Sequence, residues 1–237
     1  MKKIALTFLL LFSLLNSFCS QKKSPISISK DSNTVSENKI IKESYIDTNW
    51  IIVDIESMGS IYLPSEMEIQ KGKYKKLNDK VYEIFGIESK SVVFQQNGLN
   101  EFSKDALSSY ARILIKTEIT KKNEYPNLYE SNIMSERELN GIGIFIIDGL
   151  RKEYSKQNIK IIKGFGTSEV TINKMTAIKT SLERKMGDNP NVMVNMYQFL
   201  NNDRMHSLTF SYRVNDKEKW EKIFEKVLNT LSIKEIN

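Results

Sequence analysis

The chain has 237 residues, with 35 basic and 29 acidic side chains, one cysteine and one histidine. These counts exclude a disulfide framework and a cysteine-rich zinc site. The net charge of +6 falls to about +4 if a leader that holds Lys2 and Lys3 is removed, and its spread along the chain argues against nucleic acid as a partner.

The N-terminus has the pattern of a secretory signal. Lys2 and Lys3 precede an apolar run from Ile4 to Leu15 that only a threonine and a serine interrupt. About 12 apolar residues suffice for a signal peptide but not for a membrane-spanning helix, which needs about 20. We therefore expect residues 1–18 to be a signal peptide and the protein to be exported.

Cys19 lies directly after this apolar run, where a bacterial lipoprotein peptidase would cut and leave the thiol carrying a diacylglycerol. Ser17 suits such a site, whereas Asn16 and Phe18 stand where leucine and a small residue are usual. Two alternatives remain open: an ordinary signal peptidase cuts after Cys19 and gives a secreted or periplasmic soluble protein, or the cysteine is incidental to a discarded leader. We predict lipidation of Cys19, and the two or three acyl chains of a mature lipoprotein would anchor it firmly.

Residues 19–49 are rich in Ser, Lys and Asn, with isolated isoleucines. Low hydrophobicity and the lack of a long apolar period predict a flexible, lipid-attached tether. About 28 such residues have a root-mean-square span on the order of 30 Å, which lifts a domain clear of lipid headgroups. Residues 50–237 remain for a single domain, which is long enough to bury a core without disulfides.

The first part of this domain is predicted to be β-structure. Trp50 to Ile55 is strongly apolar, and a short strand that begins at Gly59 reaches a turn at Pro64 and Ser65. An alternating stretch follows, with lysines at 71, 73 and 75 on one side. Two further strands are predicted at "SVVFQQ" (91–96) and "YARILIKTEI" (110–119).

Residues 135–158 are predicted to form a helix. Ser135 and Glu138 have the spacing of a capping box, and apolar residues then recur at helical intervals: Leu139, Ile142, Ile146, Leu150 and Tyr154. Glycines at 141, 143 and 149 weaken a helix by about 1 kcal/mol each relative to alanine. The capping box and the polar C-terminal end nevertheless favour a helix over a strand.

Two β-hairpins are predicted after this helix, with turns at Asn173-Lys174 and at residues 201–204. On the last strand, one side carries His206, Leu208, Phe210, Tyr212 and Val214, and the other carries Met205, Ser207, Thr209, Ser211 and Arg213. This alternation predicts an antiparallel sheet with one buried face and one polar face.

The chain closes with a predicted amphipathic helix, for which Asp216 is the expected N-cap. Its apolar residues share one side: Trp220, Ile223, Phe224, Val227, Leu228 and Leu231. Lysines and glutamates occupy the other side of this helix.

This order of elements resembles the Mog1/PsbP-like group of α/β/α sandwich domains, which includes bacterial lipoproteins. The resemblance covers about residues 58–234 and rests on "GSIYLP", "VTINKMTA", "LTFSY" and "WEKIFEKVLNTL". It implies an α+β fold with a central antiparallel β-sheet flanked by helices. It also implies a non-enzymatic role, because known members act mainly by binding: one assists a nuclear-transport GTPase, and another is an extrinsic subunit of photosystem II.

His206 is the only histidine, so any Ser-His catalysis would depend on it. It follows a turn on the apolar side of its strand, and no G-x-S-x-G sequence is present. A hydrogen-bonded histidine at the edge of the core is therefore the favoured interpretation. A binding role for His206, or catalysis in a cleft between sheet and helix, is the alternative, and neither a cofactor nor a metal site is predicted.

Three further patterns have structural interpretations. "GFGTS" at 164–168 lacks the following helix that a phosphate loop requires, and it is predicted to be a bend between strands. Core filling is favoured over copper binding for four late methionines: Met186, Met193, Met196 and Met205. Lysines at 71, 73, 75, 76 and 80 are predicted to prevent an exposed strand from pairing with other chains. Because Tyr74, Tyr82 and Phe85 lie among them, a glycan- or partner-binding surface is the alternative interpretation.

Together these features predict a membrane-tethered bacterial envelope lipoprotein that acts as a non-enzymatic binding or assembly module. Its predicted partners are the membrane, through the lipid on Cys19, and an envelope protein or glycan. The alternative is an envelope hydrolase that uses His206. No pair of carboxylates and no nucleophile has the sequence pattern of an active site.

Overall fold

The computed structural model describes residues 49–71, 90–101, 109–155 and 158–236. The predicted signal peptide (1–18), Cys19 and all of the tether except residue 49 lie outside the described residues. So do most of the lysine-rich stretch and its aromatic residues: Lys73, Lys75, Lys76, Lys80, Tyr74, Tyr82 and Phe85.

Ten strands form two antiparallel sheets in the described part of the chain. They are β1 (Ile51–Ile55), β2 (Gly59–Leu63), β3 (Met67–Ile69), β4 (Lys90–Gln96), β5 (Ala111–Ile119), β6 (Ile159–Ile172), β7 (Met175–Met186), β8 (Val192–Asn201), β9 (Arg204–Arg213) and β10 (Ser232–Ile233). The small sheet has the order β1-β2-β10, and the large sheet has the order β3-β4-β5-β9-β8-β7-β6. The prediction of an antiparallel sheet is confirmed.

Both predicted hairpins are present, because asparagines adopt the left-handed backbone that their turns require. Asn173 and Lys174 have φ of 51° and 69°, which is the pattern of a type I′ turn between β6 and β7. Asn202, with φ of 59°, turns the chain from β8 into β9. Asn173 also donates its side-chain amide to the carbonyl oxygens of Leu228, Asn229 and Leu231, so this turn binds the end of the last helix.

The predicted bend at residues 164–168 is wrong, because these residues lie inside the 14-residue strand β6. The strand accommodates two irregularities instead, with register shifts between Ile161 and Lys163 and between Gly164 and Gly166. Gly166 has φ of +91°, a backbone conformation that residues with a side chain rarely adopt. The glycines therefore serve β-bulges in an edge strand and not a connection between strands.

Helix α1 (Glu136–Ser155) begins where the capping box predicts. The Ser135 backbone N–H donates to the Glu138 carboxylate at 2.9 Å, and the Glu138 N–H donates to Ser135 Oγ at 3.3 Å. The predicted end at residue 158 is wrong, because the helix ends at Ser155 and Asn158 has a positive φ of 55°.

Helix α2 (Lys217–Asn229) follows a single 3-10 turn at Val214–Asp216. Asp216 is the N-cap residue, as predicted, but its side chain makes no capping hydrogen bond. The 3-10 turn also takes Val214 out of the strand in which it was predicted to lie.

The large sheet lies between two hydrophobic cores, one on each face. On the α2 face, Trp220 and Phe224 pack against Phe210 and Tyr212, and this core continues into the small sheet through Ile61 and other residues. On the α1 face, the packed residues come from the helix and from β7, β8 and β9: Ile146, Leu150, Tyr154, Ile178, Leu182, Val194 and Met205. The predicted α+β fold, with helices flanking a central antiparallel sheet, is confirmed.

The prediction that one face of β9 would be polar is correct, but this face is not simply exposed to solvent. That face does carry Ser207, Thr209 and Ser211, but helix α1 packs against the same face of the sheet. Met205 is therefore 1% exposed, and Ser211, whose Oγ lies 3.2 Å from the Tyr110 hydroxyl, is 5% exposed. Alternation identified the two sides of the strand, but a second helical layer, distant in sequence, covers the polar one.

Candidate binding site

His206 lies on β9, on the face of the sheet that α2 covers, and is fully buried. Its Nε2 is 3.3 Å from Asn201 Nδ2, and its Nδ1 is 3.0 Å from Thr117 Oγ1. Asn201 Oδ1 accepts a hydrogen bond from the Ile236 N–H, so Nδ2 is the amide donor. The His206 ring therefore accepts at Nε2 and carries its proton on Nδ1, which donates to Thr117.

Burial, which is the largest cause, and the nearby Arg204 together lower the pKa of His206 to about 4, although Asp203 opposes the shift. The ring is thus neutral at physiological pH, with both nitrogens in hydrogen bonds. Asn201 also donates to the Lys234 carbonyl oxygen at 2.9 Å. His206 and Asn201 together hold the segment that follows β10 against the large sheet.

A surface cleft of about 470 Å³ lies between the two sheets and is lined by Arg204, two residues before this histidine. Its lining residues are Ile55, Ser57, Met58, Gly59, Arg204, Lys234 and Ile236. His206 is not one of them. Proton transfer in this cleft would require the bonds to Thr117 and Asn201 to open first.

The four late methionines singled out in the sequence do not converge on a site, and one of them does not fill the core as predicted. Met193 packs on the α2 face, whereas Met196 and Met205 belong to the core on the α1 face. Met186 is 54% exposed at the end of β7. In the ranges that the structure describes, no group of three or more His, Cys, Asp or Glu side chains is placed to hold a metal ion.

The α1 face of the large sheet carries a row of polar side chains that sequence reasoning did not predict as a group. Lys116 on β5 lies opposite Ser207 on β9, which lies opposite Gln198 on β8. Lys116 and Gln198 are 9% and 8% exposed. Among the residues that the structure describes, Lys116 Nζ and Gln198 Oε1 have no hydrogen-bond partner. Burial lowers the pKa of Lys116 and raises that of Glu118, while the attraction between the two side chains opposes both shifts.

A second polar group on this face, which we call the arginine–tyrosine cluster, consists of Tyr110, Arg112, Tyr154, Arg184, Ser211 and Arg213. Tyr110 precedes β5 and lies at its centre, with its hydroxyl 3.2 Å from Ser211 Oγ. The Cζ atoms of Arg112 and Arg213 are 5.4 Å and 5.9 Å from the centre of the Tyr110 ring. Arg184 Cζ is 5.0 Å from the centre of the Tyr154 ring. The Arg184 guanidinium also interacts electrostatically with the side chains of Tyr154 and Tyr110.

The arginines in this cluster favour negative charge at Tyr110. Burial alone would raise the pKa of the Tyr110 phenol, but Arg112 and Arg184, with hydrogen bonds from Ser211 and Arg184, lower it below its usual value of 10. The pKa of Tyr154 is raised instead, because burial outweighs the charge of Arg184 there. The nearby arginines thus outweigh burial at the Tyr110 phenol but not at the Tyr154 phenol.

The cluster is partly open to solvent. Tyr110, Arg112, Arg184 and Arg213 are each half-buried, whereas Tyr154 is 4% exposed. Its members come from helix α1, from strands β5, β7 and β9, and from the residue before β5. These residues do not belong to one short sequence motif, so they could not be predicted as a group from the sequence. The sequence did assign Arg213 to the polar side of its strand.

Comparisons with known proteins identify the fold and not a function. No family model matches the sequence, and no curated protein matches it. No helix in the described ranges has the length and apolar character that crossing a bilayer requires. Structural similarity is therefore the only relationship that the comparisons reveal.

The solved structures that are similar to the chain include the following two. A Bacteroides thetaiotaomicron protein aligns with a TM-score of 0.40 at 10% identity, over 80% of this chain and 50% of that one. CyanoP, the cyanobacterial PsbP protein of Synechocystis sp. PCC 6803, aligns with a TM-score of 0.51 at 8% identity, over 80% of this chain and 95% of its own. The expected Mog1/PsbP-like resemblance is confirmed at the level of architecture: the chain has a PsbP-like α+β fold.

Proposed function

We propose that this protein is a membrane-tethered bacterial envelope lipoprotein that acts as a non-enzymatic binding or assembly module. In this proposal, residues 1–18 direct export, Cys19 carries the lipid, and residues 19–49 form the tether of the PsbP-like domain. The envelope partner is a protein or a glycan. The position of the only cysteine, directly after the apolar run, supports the anchor.

The observation that carries the binding role is the chemistry of the arginine–tyrosine cluster. Its guanidinium and hydroxyl groups are hydrogen-bond donors, and its half-buried members reach solvent. Such groups recognise an anionic partner but do not form the nucleophile–base pair that covalent catalysis requires. His206 is the one residue predicted for the alternative hydrolase. Its Nε2 is hydrogen-bonded to Asn201, which binds the C-terminal segment at Lys234.

The lipid anchor is tested by intact mass and membrane fractionation of the full chain from its native host, with and without Cys19→Ser. We expect the wild-type chain to begin at Cys19, to carry the added mass of a diacylglycerol, and to sediment with membranes. The Cys19→Ser variant should lose both properties, and Ser20→Ala should keep both. An unmodified wild-type chain that begins after Cys19 would refute the anchor.

The choice between binding and hydrolysis is tested by complementation of a strain that lacks the gene. We expect His206→Gln to restore the wild-type phenotype as long as circular dichroism shows a native fold, whereas Arg184→Gln should fail to restore it. Loss of function in a folded His206→Gln variant, with Arg184→Gln fully active, would favour the hydrolase and overturn the binding role.

A further inference from the structure

The junction between helix α1 and strand β6 carries a concentration of exposed apolar side chains. Ile144 on α1 is 66% exposed, and Ile162 and Phe165 on β6 are 50% and 47% exposed. We call these three residues the α1–β6 patch. They are three of the seven large apolar side chains that are exposed in the described part of the chain. Apolar side chains that gather at one place on a surface mark a contact with a partner or a membrane.

Helix α1 lies directly alongside this part of β6. A Cβ atom on Gly143 would lie 2.7 Å from Thr167 Oγ1, and a Cβ atom on Gly164 would lie 3.6 Å from Ile147 Cδ1. The first helical residue of each pair is adjacent in sequence to the patch or within one turn of it, and the strand residues flank it. The exposed side chains of the helix and of the strand therefore lie on neighbouring parts of the surface.

Lysine side chains border the α1–β6 patch. Lys160 and Lys163 are exposed on β6, and Lys185 lies directly opposite Lys160 on β7. Lys163 Nζ lies 4.9 Å from the centre of the Phe165 ring, so a positive charge is adjacent to an exposed apolar group. None of the ion pairs between described residues involves these three lysines.

The ends of β6 and β7 next to the patch carry an excess of positive charge. Their acidic neighbours are Glu183, which lies opposite Lys163 and accepts a hydrogen bond from Asn191, and Asp188 in the turn after β7. The three lysines and Arg184 outnumber these two carboxylates. The charge of this surface is therefore complementary to an anionic partner.

We propose that the α1–β6 patch, with Lys160, Lys163 and Lys185, docks this domain onto a membrane surface that contains anionic lipids. The inference rests on the proposed membrane tether and adds a direct contact between the domain and the lipids. Apolar side chains enter the boundary between headgroups and acyl chains, while lysine stems extend along it and keep their charges among the headgroup phosphates.

The combination of charge and apolar surface favours lipid over the other possible occupants. The same surface of a second copy would bring lysines against lysines. An acidic glycan would engage the lysines but would leave Ile144 and Ile162 without an apolar environment.

The length of the proposed tether permits this contact. A chain as long as residues 19–49 has a root-mean-square span on the order of 30 Å. A folded domain of this size has a radius of gyration of about 16 Å. Any side of the domain can therefore reach the bilayer, and tethering keeps the effective concentration high enough for a weak contact to form.

Vesicle sedimentation tests the charged part of the surface. The protein is the mature chain (residues 19–237) with Cys19→Ser, which has neither leader nor lipid. We expect binding to phosphatidylglycerol vesicles that weakens as sodium chloride is added, and weaker binding to phosphatidylcholine vesicles. Lys163→Gln should weaken phosphatidylglycerol binding about fivefold. Lys122→Gln removes the same charge from an exposed turn and should change the binding less than twofold.

A matched pair of isoleucines tests the apolar part. Ile162 on β6 and Ile119 at the end of β5 are 50% and 51% exposed. Four strand intervals, about 19 Å in all, separate β5 from β6. Ile162→Ser should weaken vesicle binding at least fivefold, whereas Ile119→Ser should change it less than twofold. Circular dichroism checks that both variants keep the native fold.

Insertion into the lipid is measured with Phe165→Trp, and the wild type provides the background from Trp50 and Trp220. We expect the additional fluorescence to shift to shorter wavelength when phosphatidylglycerol vesicles are added. Lipids with brominated acyl chains should quench it, because bromine quenches tryptophan only at short range. Attachment through charge alone would leave the ring outside the acyl chains and its emission unquenched.

The proposal is overturned if the lipid-free chain does not bind phosphatidylglycerol vesicles, or if Ile162→Ser and Ile119→Ser bind equally well. It is also overturned if brominated lipids leave the emission of the Phe165→Trp variant unchanged. Binding to dextran sulfate without vesicle binding would replace it with an acidic polymer. A dimer that Ile162→Ser dissociates, without vesicle binding, would replace it with a second copy. These measurements use a chain without lipid, so failure of the docking surface and failure of the Cys19 anchor can be told apart.

Discussion

At the scale of single residues, His206 shows how one polar side chain joins distant parts of the fold. Its ring bonds to Thr117 on β5 and to Asn201 on β8, and Asn201 in turn holds the backbone at Lys234 and Ile236. A buried histidine costs little while it is neutral and both nitrogens are paired. The arrangement fails when the ring takes up a second proton, because Nε2 then has to donate toward an amide donor.

We predict that His206 makes stability depend on pH in mild acid. Its pKa is about 4 in the folded protein and 6.5 in an unfolded chain, so between these values only the unfolded chain binds the proton. Stability therefore falls as the pH drops from 6.5 to 4, by about 3 kcal/mol in all, and the effect is absent above pH 6.5. Urea denaturation of the wild type and His206→Gln across this range measures it.

The difference in the free energy of unfolding between the wild type and His206→Gln isolates the effect of the histidine, because carboxylates that titrate in the same pH range contribute equally to both proteins. Above pH 7 the difference should be constant, which serves as the internal control. If the difference does not change between pH 7 and pH 4, the ring is not held neutral in the folded state.

At the scale of elements, the contact between α1 and β6 explains one of the glycines that made the helix prediction uncertain. A Cβ atom on Gly143 would lie 2.7 Å from Thr167 Oγ1, which itself hydrogen-bonds to Thr180 Oγ1 at 2.8 Å. A Cβ atom on Gly141 would meet nothing within 4 Å. Gly143 is therefore required by the close approach of helix and strand, whereas Gly141 only weakens the helix.

We predict that alanine has opposite effects at these two positions. Gly141→Ala should raise the free energy of unfolding by up to about 1 kcal/mol through helix propensity. Gly143→Ala should lower it by about 1–3 kcal/mol, because the new methyl group overpacks the contact with Thr167. Urea denaturation of both variants measures these changes.

A double-mutant cycle identifies the cause at Gly143. In a Thr167→Ala background, the Oγ1 atom in the closest contact is gone, so the cost of Gly143→Ala should shrink. An equal cost in both backgrounds would place the strain elsewhere in the helix.

The edge strand β6 shows how an exposed strand limits pairing with other chains. Its two bulges leave Ile162 and Phe165 50% and 47% exposed, and Lys163 Nζ lies 4.9 Å from the centre of the Phe165 ring. Bulges and lysines on an edge interrupt the regular ladder that a second strand would need. Near the other end of β6, the Glu169 carboxylate accepts hydrogen bonds from the backbone N–H groups of Asn132 and Ile133, so a loop covers that part.

At the scale of the whole molecule, the large sheet is shared by both hydrophobic cores. The core on the α2 face also contains Ile61 and Leu63 of the small sheet and Ile233 of β10. Asn173 at the β6–β7 turn binds the end of α2, and Asn201 binds the segment after β10. The two sheets and both helices therefore share packing and hydrogen bonds, which predicts cooperative unfolding.

We predict that one main transition reports the loss of both cores. Trp220 is fully buried in the core on the α2 face, and Trp50→Phe leaves it as the only tryptophan. Urea unfolding followed by Trp220 fluorescence and by far-ultraviolet circular dichroism should give coincident midpoints. A dichroism transition at clearly lower urea would mean that the α1 side unfolds separately from the α2 side.

Much of the fold could be predicted from the sequence because its signals are local. The Ser135–Glu138 capping box, the Asn173-Lys174 turn and the apolar side of α2 depend on residues a few positions apart, and all are present. Where the predictions were wrong, a distant partner decided the outcome. Residues 164–168 remain in a strand because β7 pairs with them through two bulges, and Met205 is buried because it packs with residues of α1.

The sequence by itself determined helices α1 and α2, the hairpins and the predictions for the leader and Cys19, and its resemblance to a known family indicated the α+β class. Only the tertiary structure decided that His206 binds the C-terminal segment and that three arginines meet at Tyr110. The physical reason is the range of the interactions. Propensity, capping and alternation act between near neighbours, whereas the cluster joins residues 110 to 213, which only the order of strands in the sheet brings together.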